Sequence, residues 1–187
     1  VKKSLGYLPE SNPLYFEMYV KEYLQFIASV HKMKAGIAKR IEDVIDLTGL
    51  RRESKKKIKQ LSKGYKQRVG LAASLIHDPE VLILDEPTND LDMATLDILQ
   101  EVLQEFKGAV ILVTHDRYFL DQVVNKIMAF GVDEKGQKQI VNFSDLDQWE
   151  AWFEDQQKFE KTDQKNISVA APEPTKKKKK LSYKEQR

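Results

Sequence analysis

The sequence predicts an α/β fold: a parallel core sheet accompanied by a block of helices. Two short continuous apolar runs, Val81-Leu82-Ile83-Leu84 and Ala109–Val113, have the pattern of strands covered on both faces. Strand, helix and strand from Val81 to Val113 span about 30 residues, the size of a right-handed parallel βαβ unit. Before them, apolar residues recur at helical spacing.

Taken in order, Ser4–Pro9 reads as a short strand ending in a loop that carries Glu10. Val20, Leu24 and Ile27 mark one face of a helix within Leu14–His31. Ile37, Ile41, Val44 and Ile45 mark a second, which ends near Thr48-Gly49. Tyr15, Phe16, Tyr19, Tyr23 and Phe26 read as packing residues, and Lys55–Lys59 as solvated basic surface. Ser62 and Gly64 precede a helix over Tyr65–His77, with Val69, Ala72, Leu75 and Ile76 on one side. Asp78-Pro79 closes it, because the residue before proline is pushed out of the α region. A helix N-terminus offers unpaired N–H groups and partial positive charge, so it can hold a phosphate.

The strand Val81–Leu84 carries Asp85 and Glu86 at its C-terminal tip, where open α/β sheets place their ligands. Two adjacent acids there suit two tasks: one holds a hydrated Mg²⁺, the other orients or deprotonates a water. After Asp92 a helix runs to about Phe106, with Leu96, Leu99, Leu103 and Phe106 on one face. The second buried strand, Ala109–Val113, ends in Thr114-His115-Asp116. His31 and His77 read as structural. Lys126–Phe130 and Gln139–Phe143 read as further strands around a Gly131–Gly136 turn. Beyond Ser144, Trp149, Trp152 and Phe153 mark a short helix. From about Phe159 the chain is polar, with Pro172, Pro174 and the five lysines Lys176–Lys180, a composition that buries no core.

At 187 residues the chain is long enough for one core, and its net charge of +2 singles out no partner. Cysteine is absent, which excludes disulfides and thiolate metal sites and is compatible with a reducing cytosol. No apolar run approaches the roughly 20 residues needed to cross a bilayer.

Several motifs resemble one family, the ATP-binding cassette (ABC) ATPases. Leu61-Ser62-Lys63-Gly64-Tyr65 looks like its signature loop and Val81–Glu86 like its Walker B strand. Asn89-Asp90-Leu91-Asp92 looks like its D-loop, and Leu5–Glu10 like the segment entering its Q-loop, with Glu10 in place of the usual glutamine. The resemblance implies a partial P-loop NTPase of the ABC type: residues 1–13 as Q-loop entry, 14–60 as helical subdomain, and 61–143 as the core. Residues 144–158 would form a capping helix, and 159–187 a Lys-rich linker that leads into the start of a further helix. It implies ATP and Mg²⁺ as cofactors, with Asp85 on the metal, Glu86 as general base and His115 at the γ-phosphate and attacking water. Ser62 and Gly64 would act in trans on the opposite subunit's nucleotide, Asp92 would couple two sites, and Glu10 would reach the metal directly or through water. The implied partner is therefore a second ABC domain, head to tail, as a dimer or in tandem.

The resemblance changes flavour near Pro87. Residues 1–86 look like the ATPases of bacterial exporters, especially the gliding-motility type. Residues 87–187, with NDLD, THDRYFLD and the Lys-rich tail, look like ABC-F proteins, soluble ATPases without permeases that act on ribosomes or, in one branch, bind DNA. A hybrid joined within LDEPT is one expectation. The ABC-F flavour implies a cytoplasmic ATPase that reaches ribosome or nucleic acid through the tail. The exporter flavour implies a peripheral membrane ATPase with a separate permease, and loss of hydrolysis would leave a binding module. No G-x-x-x-x-G-K-[ST] occurs, so the loop that cradles the β- and γ-phosphates, the Walker A, is missing. In the family that loop precedes the Q-loop. The Val1 start therefore reads as a piece of a longer chain, and the Val81–Leu84 strand is expected to lack a neighbour.

Overall fold

The structure, a computed structural model, describes residues 4–89, 91–132 and 137–155. They fall into two units that divide between Asn125 and Lys126, inside the 61–143 segment that the sequence reads as one core.

The first unit contains strand β1 (Leu5–Leu8), helices α1 (Val20–Val30), α2 (Ile37–Leu47) and α3 (Lys63–Leu75), and strand β2 (Val81–Asp85). Helix α4 (Met93–Glu105), strand β3 (Ala109–Val113) and helix α5 (Arg117–Val123) complete it. The three strands form one parallel sheet in the order β1-β2-β3, with Leu8 level with Leu84 and Leu84 level with Leu112. The expectation that β2 would lack a neighbour is thus corrected: it is the middle strand. Among the described residues β1 and β3 each pair on one side only, with β2, and β3 is not buried as the sequence suggested. Its side chains alternate between exposed and half-buried, with Ile111 53% and Val113 49% exposed.

Helices α1 to α3 supply most of the core. Val20, Leu24, Val44, Ile45, Val69 and Ile76 are fully buried, together with Leu8, Leu82 and Leu84 of the sheet. Helix α1 starts at Val20 rather than Leu14 because the preceding backbone bonds elsewhere. Ile58 N–H donates to Met18 O (3.0 Å), Lys59 N–H to Phe16 O (3.0 Å) and Val20 N–H to Lys56 O (3.1 Å). Helix α2 is stopped two residues beyond Leu47 by Gly49, whose φ of 63° is the left-handed conformation that a residue with a Cβ resists. Helix α3 ends at Leu75, earlier than read, and its stop has a further cause beyond Pro79. Arg40 donates to the carbonyls of Leu75 (2.6 Å) and Ile76 (3.1 Å), and Asp78 turns the chain with a φ of 57°.

Helix α5, which the sequence pattern did not reveal, is capped by Asp116, whose Oδ1 accepts from Phe119 N–H at 3.0 Å. It buries Phe119. In the second unit, β4 (Ile127–Val132) and β5 (Lys138–Phe143) pair antiparallel, so Gly131 lies in a strand rather than a turn. The helix over 146–155 sets Trp152 against Phe143, ring centroids 5.4 Å apart. The Lys-rich linker and the helix expected after it lie outside the described residues, as does Asp90. No described helix is long and apolar enough to cross a membrane.

Candidate functional site

Because β2 and β3 run parallel with Asp85 level with Val113, the residues just past them emerge side by side. Glu86 N–H donates to Val113 O at 2.8 Å, which ties the two tips together. The Glu86 carboxylate faces His115 twice: Oε2 accepts from the His115 backbone N–H at 3.3 Å, and Oε1 lies 3.4 Å from Nε2. The imidazole is otherwise open, 98% exposed, while the Glu86 side chain is 20% exposed. Glu86 sits at a φ of 44°, a left-handed conformation that costs a non-glycine residue on the order of 1–3 kcal/mol. The bonds at both ends of the residue hold it there.

Four residues to which the sequence reading gave no role of their own join these. Tyr7 of β1 donates its hydroxyl to Asp85 Oδ2 at 3.3 Å. Desolvation, and then the negative charge of Asp85, push the phenol above its ordinary pKa. Asn89 Nδ2 donates to Glu10 Oε1 at 3.0 Å, bringing the loop after β1 to the loop after β2. Thr88 and Thr114 share a hydroxyl contact of 3.3 Å across the two tips.

Ser62, Gly64 and Asp92 belong to a second cluster at the start of α3. Ser62 caps that helix, Oγ accepting from Tyr65 N–H at 3.3 Å, and its side chain stays exposed. Gly64 is buried against the first turn of α4. A Cβ there would lie 2.6 Å from Thr95 Oγ1 and 2.7 Å from Asp92 Oδ2, so the close approach requires glycine. Asp92 caps α4 by accepting from Thr95 N–H at 2.8 Å. That bond, ahead of the nearby Arg68, holds its carboxyl below the usual carboxylate range. Arg68 is buried beneath both, donating to Thr95 Oγ1 at 2.9 and 3.1 Å.

No group of three or more His, Asp or Glu able to cage a metal occurs among the described residues. The acids at the tips nevertheless fit Mg²⁺ in its usual nucleotide setting, where one or two carboxylates share the ion with substrate phosphates and water. An open cleft of about 700 Å³ lies at the other end of the sheet, between Arg40, Pro79, Phe106 and Gly108, away from the acids.

Residues 1–89 match the ABC transporter family. YfmR of Bacillus subtilis, an uncharacterized ABC transporter ATP-binding protein, is 36% identical over 187 aligned positions, which take in 96% of this chain and 28% of the relative. That alignment runs through both halves of the chain. The energy-dependent translational throttle protein EttA of Haemophilus influenzae is 40% identical over 97 residues, 52% of this chain and 17% of its own. Among solved structures, an ATP-binding subunit of an ABC transporter superposes with a TM-score of 0.61 at 26% identity, over 68% of this chain and 55% of that one. The chain thus spans less than a third of the two curated relatives.

Proposed function

Since this chain belongs to the ABC family of ATP-binding proteins, we propose that the tips of β2 and β3 form the hydrolytic half of an ATP site. The family uses ATP with Mg²⁺. The observation that carries the reading is the grip of Glu86 on His115, 3.3 and 3.4 Å, in a chain that holds Glu86 at a φ of 44°. In this reading Asp85 holds the metal, its Oδ2 steadied by the Tyr7 hydroxyl. Mg²⁺ held at Asp85 would supply positive charge against the charge that develops on the phosphate. Glu86 orients and deprotonates the attacking water. His115, exposed and anchored through its backbone to Glu86, reaches the γ-phosphate and that water. Glu10, held by Asn89, lines the same opening. Ser62 and the start of α3 meet the nucleotide of a second ABC domain, and Asp92 ties that helix to the loop leading from Glu86. Because this chemistry is positioning and charge stabilisation, losing Glu86 slows turnover far more than it weakens binding.

For the coupled process we favour an ABC-F-like ATPase that acts in the cytoplasm on the ribosome or nucleic acid. ABC-F members among the relatives support this, one of them named for translation. A transporter ATPase that docks on a separate permease is the second reading, supported by the first half of the sequence and by the superposed transporter subunit. Cosedimentation with ribosomes in ATP separates the two.

Mn²⁺, a paramagnetic stand-in for Mg²⁺, tests the site even where affinity is low. This chain has no phosphate-cradling motif, so it is expected to bind ATP weakly and turn it over poorly by itself. With millimolar Mn²⁺–ATP, NMR broadening is expected at the amides of Glu86, Thr88, His115 and Asp116, and is expected to vanish in Asp85→Asn. Broadening centred elsewhere, or unchanged in the variant, overturns the assignment.

A further inference from the structure

The half-exposed rings at the entrance to α1, the lysines before α3 and Lys66 in its first turn form one face. Tyr15 is 55%, Phe16 50% and Tyr19 48% exposed, three neighbouring rings that make one apolar patch. The backbone bonds that delay α1 lay residues 16–20 antiparallel to 56–59, with Tyr19 opposite Lys57. This brings ammonium groups to the rings: Lys57 Nζ is 5.8 Å from the centroid of Tyr19, and Lys66 Nζ is 5.4 Å from that of Phe16. Glu17 accepts from Lys59 at 2.9 Å and from Lys57 at 3.4 Å, one carboxylate against two cations. Residues 51–68 hold nine Lys and Arg and a single acid, Glu53, in a chain whose net charge is only +2. Of these, Arg51 pairs with Glu42 and Asp46, Lys56 pairs with Glu53, and Arg68 is buried against Thr95; Lys57 and Lys66 are the cations over the rings, and Lys59 shares Glu17 with Lys57.

Rings interleaved with lysines have the chemistry of a single-stranded nucleic-acid surface: bases stack on aromatic faces and ammonium groups neutralise phosphates. An apolar peptide would gain nothing from so dense a cationic border. We infer that this face binds single-stranded nucleic acid, with bases on Phe16 and Tyr19 and phosphates at Lys57, Lys59 and Lys66. The inference deepens the nucleic-acid branch of the reading above and uses none of the ATP-site residues. Either can therefore fail while the other stands.

Fluorescence anisotropy of a labelled oligouridylate against the full 187-residue chain, over a range of KCl, provides the test. The lysine tail would bind any polyanion, so all proteins carry Lys176–Lys180 changed to Gln. Phe16→Ala with Tyr19→Ala is expected to weaken binding about 30-fold or more at an unchanged salt slope. Lys57→Gln with Lys66→Gln is expected to lower that slope by about 1.4. Phe16→Leu with Tyr19→Leu keeps the apolar contacts but loses the stacking face, so it is expected to weaken binding while leaving the urea midpoint in place. Affinity within twofold of the parent in both ring variants overturns the inference and leaves the rings to a protein partner. Absence of binding by the parent at 50 mM KCl overturns it equally.

Discussion

β1 and β3 flank the same strand in the same parallel sense, yet the two sides of β2 are built differently. On the β1 side, Leu8 is fully buried beside the α1–α3 core, and the carbonyl of Leu5 is held by His77 at 3.0 Å. On the β3 side, Ala109, Ile111 and Val113 face outward. LGYL is the less apolar of the two strand sequences and is the better covered. An apolar run therefore reports that a strand forms; the elements laid against it decide how deep it lies.

The contrast predicts unequal costs for truncation. Leu84→Ala, in the middle strand at 0% exposure, is expected to lose about 3 kcal/mol in urea denaturation, from lost burial and the cavity left behind. Ile111→Ala, at 53% exposure, is expected to lose less than about 1 kcal/mol. Equal losses would break the comparison, because they would mean that the outward face of β3 is covered in solution.

The same contrast explains what the sequence made legible. The strands, the helices α2 to α4 and the polar tips carrying Asp85, Glu86 and His115 follow from local pattern, since apolar period and breakers act over a few residues. The order β1-β2-β3 and the exposure of β3 do not, because they depend on partners far along the chain. Tyr7 and Asn89 escaped for a related reason. Their contacts with Asp85 and Glu10 span 78 and 79 residues, and no local spacing encodes such a pair. The rings of Phe16 and Tyr19 read as packing because helical periodicity around them hid the backbone ladder to residues 56–59. α5 was missed because its seven residues offer too short a window for a period to show.

Hydrogen exchange sharpens the comparison at single amides. In a parallel strand the N–H and C=O of one residue point to the same side, alternating along the chain. Ala109 N–H donates to Glu80 O, and Val113 O accepts from Glu86 N–H, so Ala109, Ile111 and Val113 bond toward β2. Val110 and Leu112 then point to the side where no strand lies among the described residues. Their amides are expected to exchange at least about tenfold faster than that of Ile111, with β2 protected on both sides. Equal protection along β3 would show its outer edge paired.

The smallest effect concerns the β1 flank and is a pH dependence. His31 and His77 stack with ring centroids 3.7 Å apart, joining the end of α1 to the turn before β2. Leu5 O accepts from His77 Nε2, which leaves the buried Nδ1 without a hydrogen-bond partner among the described residues. Desolvation first, then His31 and Arg40, hold His77 below the ordinary histidine pKa, against the opposing pull of the Leu5 carbonyl and Asp78; desolvation lowers His31 too. A depressed folded pKa means that the unfolded chain binds protons first as pH falls. Stability is therefore full above about 6.5 and declines as pH drops from there through the folded values. Urea midpoints between pH 8 and pH 5 should fall on acidification, with β1 amides losing protection before those of β3. His77→Gln, which keeps an amide donor for Leu5 O, is expected to flatten that slope. If the slope persists in the variant, the acid sensitivity arises elsewhere and the β1 flank owes its depth to packing alone.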